Sequence, residues 1–242
     1  MLSNTRYWVL SLVFCAVPLT GQTAFEKDQF QTSKGPLEIT FIGHGTLMFE
    51  WNGKVVHVDP VSQYADYSRF PKADLILITH EHGDHLDVQA IERILKSDTT
   101  ILVNPSSGSK LGKGSVLQNG GTREVSGIRI RAVPAYNTTP GRDRFHPKGR
   151  DNGYVLTFAD TTVYVAGDTE DIPEMKELSG IDIAFLPMNQ PYTMTPEQVV
   201  SAARMIRPRI LYPYHYGDTP VQELIDRMKS EPGIEIRIRK LN

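Results

Sequence analysis

The sequence predicts an α/β (α+β) fold, a β-sandwich whose outer faces are covered by helices. Three observations predict it. Runs of strand-forming residues come in groups, and each group gives way to segments with apolar residues at helical spacing. This alternation occurs in the first half of the chain and again in the second. No linker divides residues 35–242, so both halves are expected in one domain.

The elements follow in order. Residues 22–34 are polar and read as a flexible approach to the domain. Residues 37–42 alternate in polarity and are rich in strand formers. Residues 46–50 and 54–58 follow as strands, joined by Asn52-Gly53, a dipeptide suited to a two-residue hairpin turn. Residues 74–79 form a nearly continuous apolar run, as expected of a strand covered on both faces. Beyond Asp87, the residues Val88, Ile91 and Leu95 recur at helical spacing. In the second half, residues 127–135, 153–158, 161–166 and 182–186 read as strands. Thr195-Pro196-Glu197-Gln198 opens a helix with a capping residue, a first-turn proline and a Gln three positions after the cap. Val199, Val200, Ala203 and Ile206 give that helix one apolar face. Thr219-Pro220 is expected to open another helix in the same way, with Val221, Leu224, Ile225 and Met228 inward. No internal repeat of fixed period is present in the sequence.

Hydrophobic residues make up 40% of the 242, enough for a sizeable core. The net charge of −2 and a pI near 6.4 give no basic surface to steer the chain toward nucleic acid. Arg6 is the only charge before Glu26, and residues 7–18 form an apolar run shorter than a membrane span requires. Residues 1–24 therefore read as a signal peptide cleaved between Gly21 and Ala24, with the protein exported to the periplasm or secreted. An uncleaved N-terminal membrane anchor is the competing reading. The one cysteine, Cys15, lies within this leader, so the mature protein has neither a disulfide framework nor a thiolate metal ligand. Any metal must be held by nitrogen and oxygen.

The chemistry concentrates in His80-Glu81-His82-Gly83-Asp84-His85. His80 and His82 are two apart at a strand end, where alternate side chains point to one side and both imidazoles can reach one ion. Gly83 permits a tight turn, after which Asp84 and His85 can face a second ion. Such a density of imidazole and carboxylate is a metal-site signature.

At these residues the chain resembles the metallo-β-lactamase superfamily, whose His-x-His-x-Asp-His signature it matches in full. Other landmarks stand in order: Asp59 in Val58-Asp59-Pro60, Asp168 in Ala166-Gly167-Asp168-Thr169, and His215 in Pro213-Tyr214-His215-Tyr216-Gly217. The resemblance implies a four-layer αββα sandwich. It also implies two divalent ions, one on His80 and His82, the other on Asp84, His85 and His215, with Asp168 bridging and Asp59 buttressing the loop. Ile42-Gly43-His44-Gly45-Thr46, Leu186-Pro187-Met188 and residues 192–197 are similar to the branch containing the ascorbate-6-phosphate lactonase. The pattern departs in one place. Members carry a further histidine for the first ion in a Pro-Ala-x-His segment, and here the segment is Pro134-Ala135-Tyr136-Asn137. Either Asn137 or His146 completes that site. An amide oxygen is the poorer zinc ligand, so residues 138–151 are expected to fold back and bring His146 to the metal; a solvated loop histidine is the competing reading.

The resulting expectation is a hydrolase that directs metal-held hydroxide at an ester, lactone, phosphodiester or amide. Zinc suits imidazole-rich ligands, and manganese or iron is also compatible. Asp84 is expected to align the nucleophile, and His44 to touch the substrate or support a ligand. Glu81 either orients the loop or is exposed. His57 reads as a satisfied or exposed strand residue. Arg142, Arg144, Lys148 and Arg150 form a basic loop that could receive an anionic group on a small-molecule substrate, with a solvated loop as the alternative. A β-lactamase or a nuclease of the same fold, and a non-hydrolytic metal or redox protein, are the rival functions.

Overall fold

Asn52 and Gly53 both adopt positive φ, 49° and 71°, the left-handed turn that matches the twist of two antiparallel strands. In this computed structural model, which describes residues 25–241, that turn joins two strands of a seven-stranded sheet. The leader predicted at residues 1–24 lies outside the described residues. The first sheet runs in order through β1 (Glu26–Thr32), β2 (Gly35–Gly43), β3 (Thr46–Trp51), β4 (Lys54–Val58), β5 (Leu75–Ile78), β6 (Thr100–Val103) and β7 (Ser115–Val116). β1 to β4 are antiparallel, and β4 to β7 are parallel.

The second sheet repeats this plan. β8 (Thr122–Val125), β9 (Ile128–Ala135), β10 (Asp151–Phe158) and β11 (Thr161–Val165) are antiparallel. β12 (Ile183–Pro187), β13 (Ile210–Tyr214) and β14 (Glu235–Ile236) continue from β11 in parallel. The parallel crossovers carry helices α1 (Val88–Ile94), α2 (Pro105–Leu111), α3 (Pro196–Ile206) and α4 (Val221–Met228). The chain is therefore the expected sandwich, and its two halves share a topology that no sequence period reveals.

Between the sheets, Phe41 and Phe49 from the first meet Phe158, Phe185 and Tyr212 from the second, with ring centroids 5.0–6.3 Å apart. Each fully buried aromatic of this kind contributes about 1.5–3 kcal/mol. β5 is buried on both faces as predicted. Leu75 and Leu77 enter the inter-sheet core, while Ile76 and Ile78 pack outward with Ala90, Ile91 and Ile94 of α1. His57 is in this outer layer, against Tyr67 and Phe70, with Nε2 on the Pro71 carbonyl at 3.2 Å. Burial pushes its pKa down to about 4.

Three local expectations change. Residues 26–32 are not a flexible approach but edge strand β1, whose Asp28 is clasped by Arg237, Arg239 and the Tyr212 hydroxyl. Polar composition hid it, because an edge strand needs only one apolar side. In α1 the inward face is Ala90, Ile91 and Ile94, while Val88 is 44% exposed; the cap at Asp87 sets the helix phase. α3 has the predicted capping box at Thr195, but α4 begins after Pro220 with no side-chain cap.

Candidate metal centre

All the predicted ligands gather at one rim of the sandwich. Asp59, Asp168 and His215 follow β4, β11 and β13, and His80 to His85 follow β5. Because β4–β5 and β11–β12–β13 are parallel, these strand ends lie side by side. The β2–β3 turn brings His44 to the same rim, and the long β9–β10 connection brings His146.

Among the described residues, three sets of side chains have ligand atoms within 4.8 Å of one another: His80, His82 and His146; His44, Asp84, His85 and His215; and His80, His85 and Asp168. Asp168 stands between the first two sets. Its Oδ2 is 3.4 Å from His146 Nε2 and 3.3 Å from His215 Nε2, and its Oδ1 is 3.4 Å from His85 Nε2. Asp84 Oδ2 is 3.1 Å from His44 Nε2 and 3.7 Å from His215 Nε2.

The rings of His85, His146 and His80 are fixed from behind. His85 Nδ1 meets Asp59 Oδ2 at 2.8 Å, His146 Nδ1 meets Asp151 Oδ2 at 2.9 Å, and His80 Nδ1 meets Thr79 Oγ1 at 3.0 Å. Asp59 is in turn held by the Thr79 N–H and hydroxyl, at 2.8 and 2.6 Å. Among the described residues, the forward atoms His80 Nε2, His85 Nε2, His215 Nε2 and Asp168 Oδ1 are buried without hydrogen-bond partners. Buried polar atoms without partners are costly, so four converging on one space fit a cationic occupant.

Backbone strain and tight packing accompany this arrangement. His44, Asp59 and His215 adopt φ of 54°, 46° and 47°, conformations costing on the order of 1–3 kcal/mol each. The His215 N–H donates to the His44 carbonyl at 3.1 Å, so two strained residues brace each other. Gly45 has no tolerance for a side chain, since a Cβ there would lie 2.6 Å from His85 Cε1.

Electrostatics divides the rings into two kinds. Burial disfavours charge on His80, His82, His85 and His215, but Asp168 and Asp84, joined by Asp59 at His85, outweigh it at His85 and His215, whose pKa values rise. Burial and neighbouring imidazoles push His80 and His82 down. Burial alone would raise Asp84, but the His215 and His44 rings, 3.7 and 3.1 Å from its Oδ2, carry it well below the usual carboxylate range.

The 138–151 loop does fold back, and His146, 1% exposed, lies with its ring 5.0 Å from those of both His80 and His82. Asn137 directs its amide nitrogen to main-chain carbonyls instead. Glu81 points away from the rim to Ser106 and to Arg150, 3.3 Å distant. The basic loop is mostly spoken for. Arg150 pairs with Asp151, Lys148 with Glu174 and Arg142 with Glu170, while Arg144 lies over the Phe145 ring at 4.8 Å. Sequence reasoning missed the role of Asp151; the loops 138–151 and 188–194 are the pocket walls the sequence leads one to expect, and they supply Phe145, Asn189 and Tyr192. These last three line a pocket of about 230 Å³ with His82, Asp84, His146, Asp168 and His215. A carboxylate beside a candidate ligand was the one available signal, for Asp151.

A family model described as a beta-lactamase superfamily domain matches residues 38–215. The chain belongs to the metallo-β-lactamase superfamily. Among its relatives, a UPF0173 metal-dependent hydrolase from Methanopyrus kandleri is 32% identical over 221 residues, covering 84% of this chain and 95% of its own. A crystal structure from Parabacteroides distasonis, described as a metal-dependent hydrolase, is 62% identical with a TM-score of 0.88 and covers 90% of this chain and 100% of its own. Igni18, described as a metallo hydrolase from Ignicoccus hospitalis, shares the fold at 24% identity and a TM-score of 0.69, covering 84% of this chain and 95% of its own.

Proposed function

We propose that the chain is a metal-dependent hydrolase with two divalent ions, zinc by preference and manganese or iron as alternatives. His80, His82 and His146 would hold the first, Asp84, His85 and His215 the second, and Asp168 would bridge. The observation that carries this reading is the set of partnerless buried atoms facing one space, His80 Nε2, His85 Nε2, His215 Nε2 and Asp168 Oδ1, with the rear nitrogens of His80 and His85 already held by Thr79 and Asp59. Ions held there would lower the pKa of a water from 15.7 toward about 7 and offset charge developing at the scissile centre.

The protein's own groups do the rest. His44 Nε2 holds Asp84 Oδ2, so Asp84 is oriented to align the attacking water and take its hydrogen bond. Phe145 and Tyr192 wall the pocket and limit bulk water, and its volume suits a small ester, lactone, phosphodiester or amide. Arg144, beside Phe145, is the proposed receiver for an anionic group on such a substrate. Residues 1–24 are proposed as an export leader, which a fusion of those residues to a periplasm-dependent reporter tests.

Elemental analysis of protein purified without added metal, followed by chelation and reloading during a screen of lactones, phosphodiesters and β-lactams, tests the function. Two ions per chain and hydrolysis that vanishes and returns with them are expected. Hydrolysis that survives full chelation ends this reading.

A further inference from the structure

We propose that Asn137 is a positioning residue that sets both the ligand loop of the first ion and the mouth of the pocket; the inference rests on the metal-centre reading above. Asn137 lies two residues past the end of β9 and is 3% exposed. Its main-chain N–H donates to the His146 carbonyl at 2.8 Å, which closes the loop at the residue carrying the ring. Its side-chain amide donates twice, to the Arg142 carbonyl at 3.2 Å and the Tyr192 carbonyl at 2.7 Å. One buried side chain therefore ties three segments together: the end of β9, the loop that delivers His146, and the loop after β12.

Those two loops form the walls of the site. Phe145 and Tyr192 meet edge to face at 5.0 Å, and both line the pocket with His82 and His215. Only a primary amide of this length offers two N–H donors on one nitrogen to two main-chain carbonyls. A carboxylate of the same shape would set oxygen against oxygen at both contacts. The ring of His146 has one further hold, from Asp151. Loosening the Asn137 tie thus lets His146 drift from His80 and His82 and lets the aromatic walls part. A shift of about 1 Å in such a constellation can cost on the order of a hundredfold in rate.

The test compares the full chain with Asn137→Asp, Asn137→Ala and Asn137→Ser. Zinc affinity is measured by chelator competition, unfolding midpoint on metal-free protein, and KM and kcat on bis(p-nitrophenyl) phosphate and p-nitrophenyl acetate. Asn137→Asp is expected to weaken zinc binding by about ten- to hundredfold, the range for residues that orient a ligand. KM is expected to rise by a larger factor than kcat falls, and Asn137→Ser, which keeps one donor, to fall between parent and Asn137→Ala. A lower midpoint in folded variants that bind zinc and substrate like the parent would mean a structural role only, and overturns the proposal. If Asn137→Asp does not fold, Asn137→Ser decides, since its affinity and KM must move in the same sense. A parent that binds zinc yet hydrolyses neither probe bears on the hydrolase reading alone, and the affinity measurement still decides Asn137. A parent that binds none of zinc, manganese and iron overturns both.

Discussion

The two halves of the molecule share one topology but build their parts of the metal centre differently. The first half places His80, His82, Asp84 and His85 in a single turn after β5. The second supplies His146, Asp168 and His215 singly, from a loop and two strand ends. Each half also has a carboxylate behind a histidine. Asp59, behind His85, is gripped by Thr79 through both main chain and side chain. Asp151, behind His146, starts β10 and is held by the guanidinium of Arg150. The compact turn is thus braced from another strand, by a carboxylate on β4's end that reaches Thr79 and His85, whereas the lone His146 is braced from within its own loop, by Asp151 and the adjacent Arg150.

The sharpest way to break this contrast is at the residue the halves share. Asp168→Ala is expected to lower turnover by more than about a hundredfold, beyond the range for orienting residues, and to reduce the ions bound per chain. Unchanged metal content in that variant would show that the halves do not meet at Asp168.

Acid distinguishes the halves next, through matching strand positions. His57 on β4 and Tyr164 on β11 both carry a buried polar atom with no partner among the described residues. Burial raises the Tyr164 pKa, so it stays neutral throughout the acid range. Burial lowers His57 from 6.5 to about 4, so the unfolded chain takes up a proton first as pH falls. The stability due to neutral His57 is present above about pH 6.5 and is lost between there and pH 4, by on the order of 3 kcal/mol. Urea unfolding of parent and His57→Gln across this range should show a flatter slope in the variant; parallel slopes would remove His57 from the account.

Asp59→Asn and Asp151→Asn are each expected to weaken zinc binding by about ten- to hundredfold. Only Asp59→Asn should also lower the unfolding midpoint of metal-free protein substantially, because it anchors Thr79 at the end of β5. Equal midpoints would erase the proposed difference between the carboxylate that ties two strands and the one held within its own loop. The smallest effects are expected at the helix starts. Asp87→Ala in α1 and Thr195→Ala in α3 each remove a side-chain cap and should cost about 1 kcal/mol in chemical unfolding.

Much of this was legible because it is local. The His80–His85 cluster, the Asn52-Gly53 turn, the two-sided burial of β5 and the Thr195 capping box all rest on residues within a turn or two of one another. β13 was hidden by Pro213, which reads against a central strand. The structure admits it because β14 pairs only with Ile210 and Leu211, so the missing N–H of Pro213 lies beyond the shared ladder. β1 was hidden by its polarity.

By itself, the sequence determined the strand and helix alternation, the nitrogen and oxygen character of any metal site, and the candidate ligands, because periodicity and donor chemistry are properties of neighbouring residues. Only the tertiary structure decided that His146 rather than Asn137 faces His80 and His82, that Asp151 backs it, and that most of the basic loop is paired internally. Those outcomes depend on how a long connection packs against another strand's loop. That packing is set by carbonyls, amides and carboxylates meeting across the fold, and no spacing along the chain encodes it.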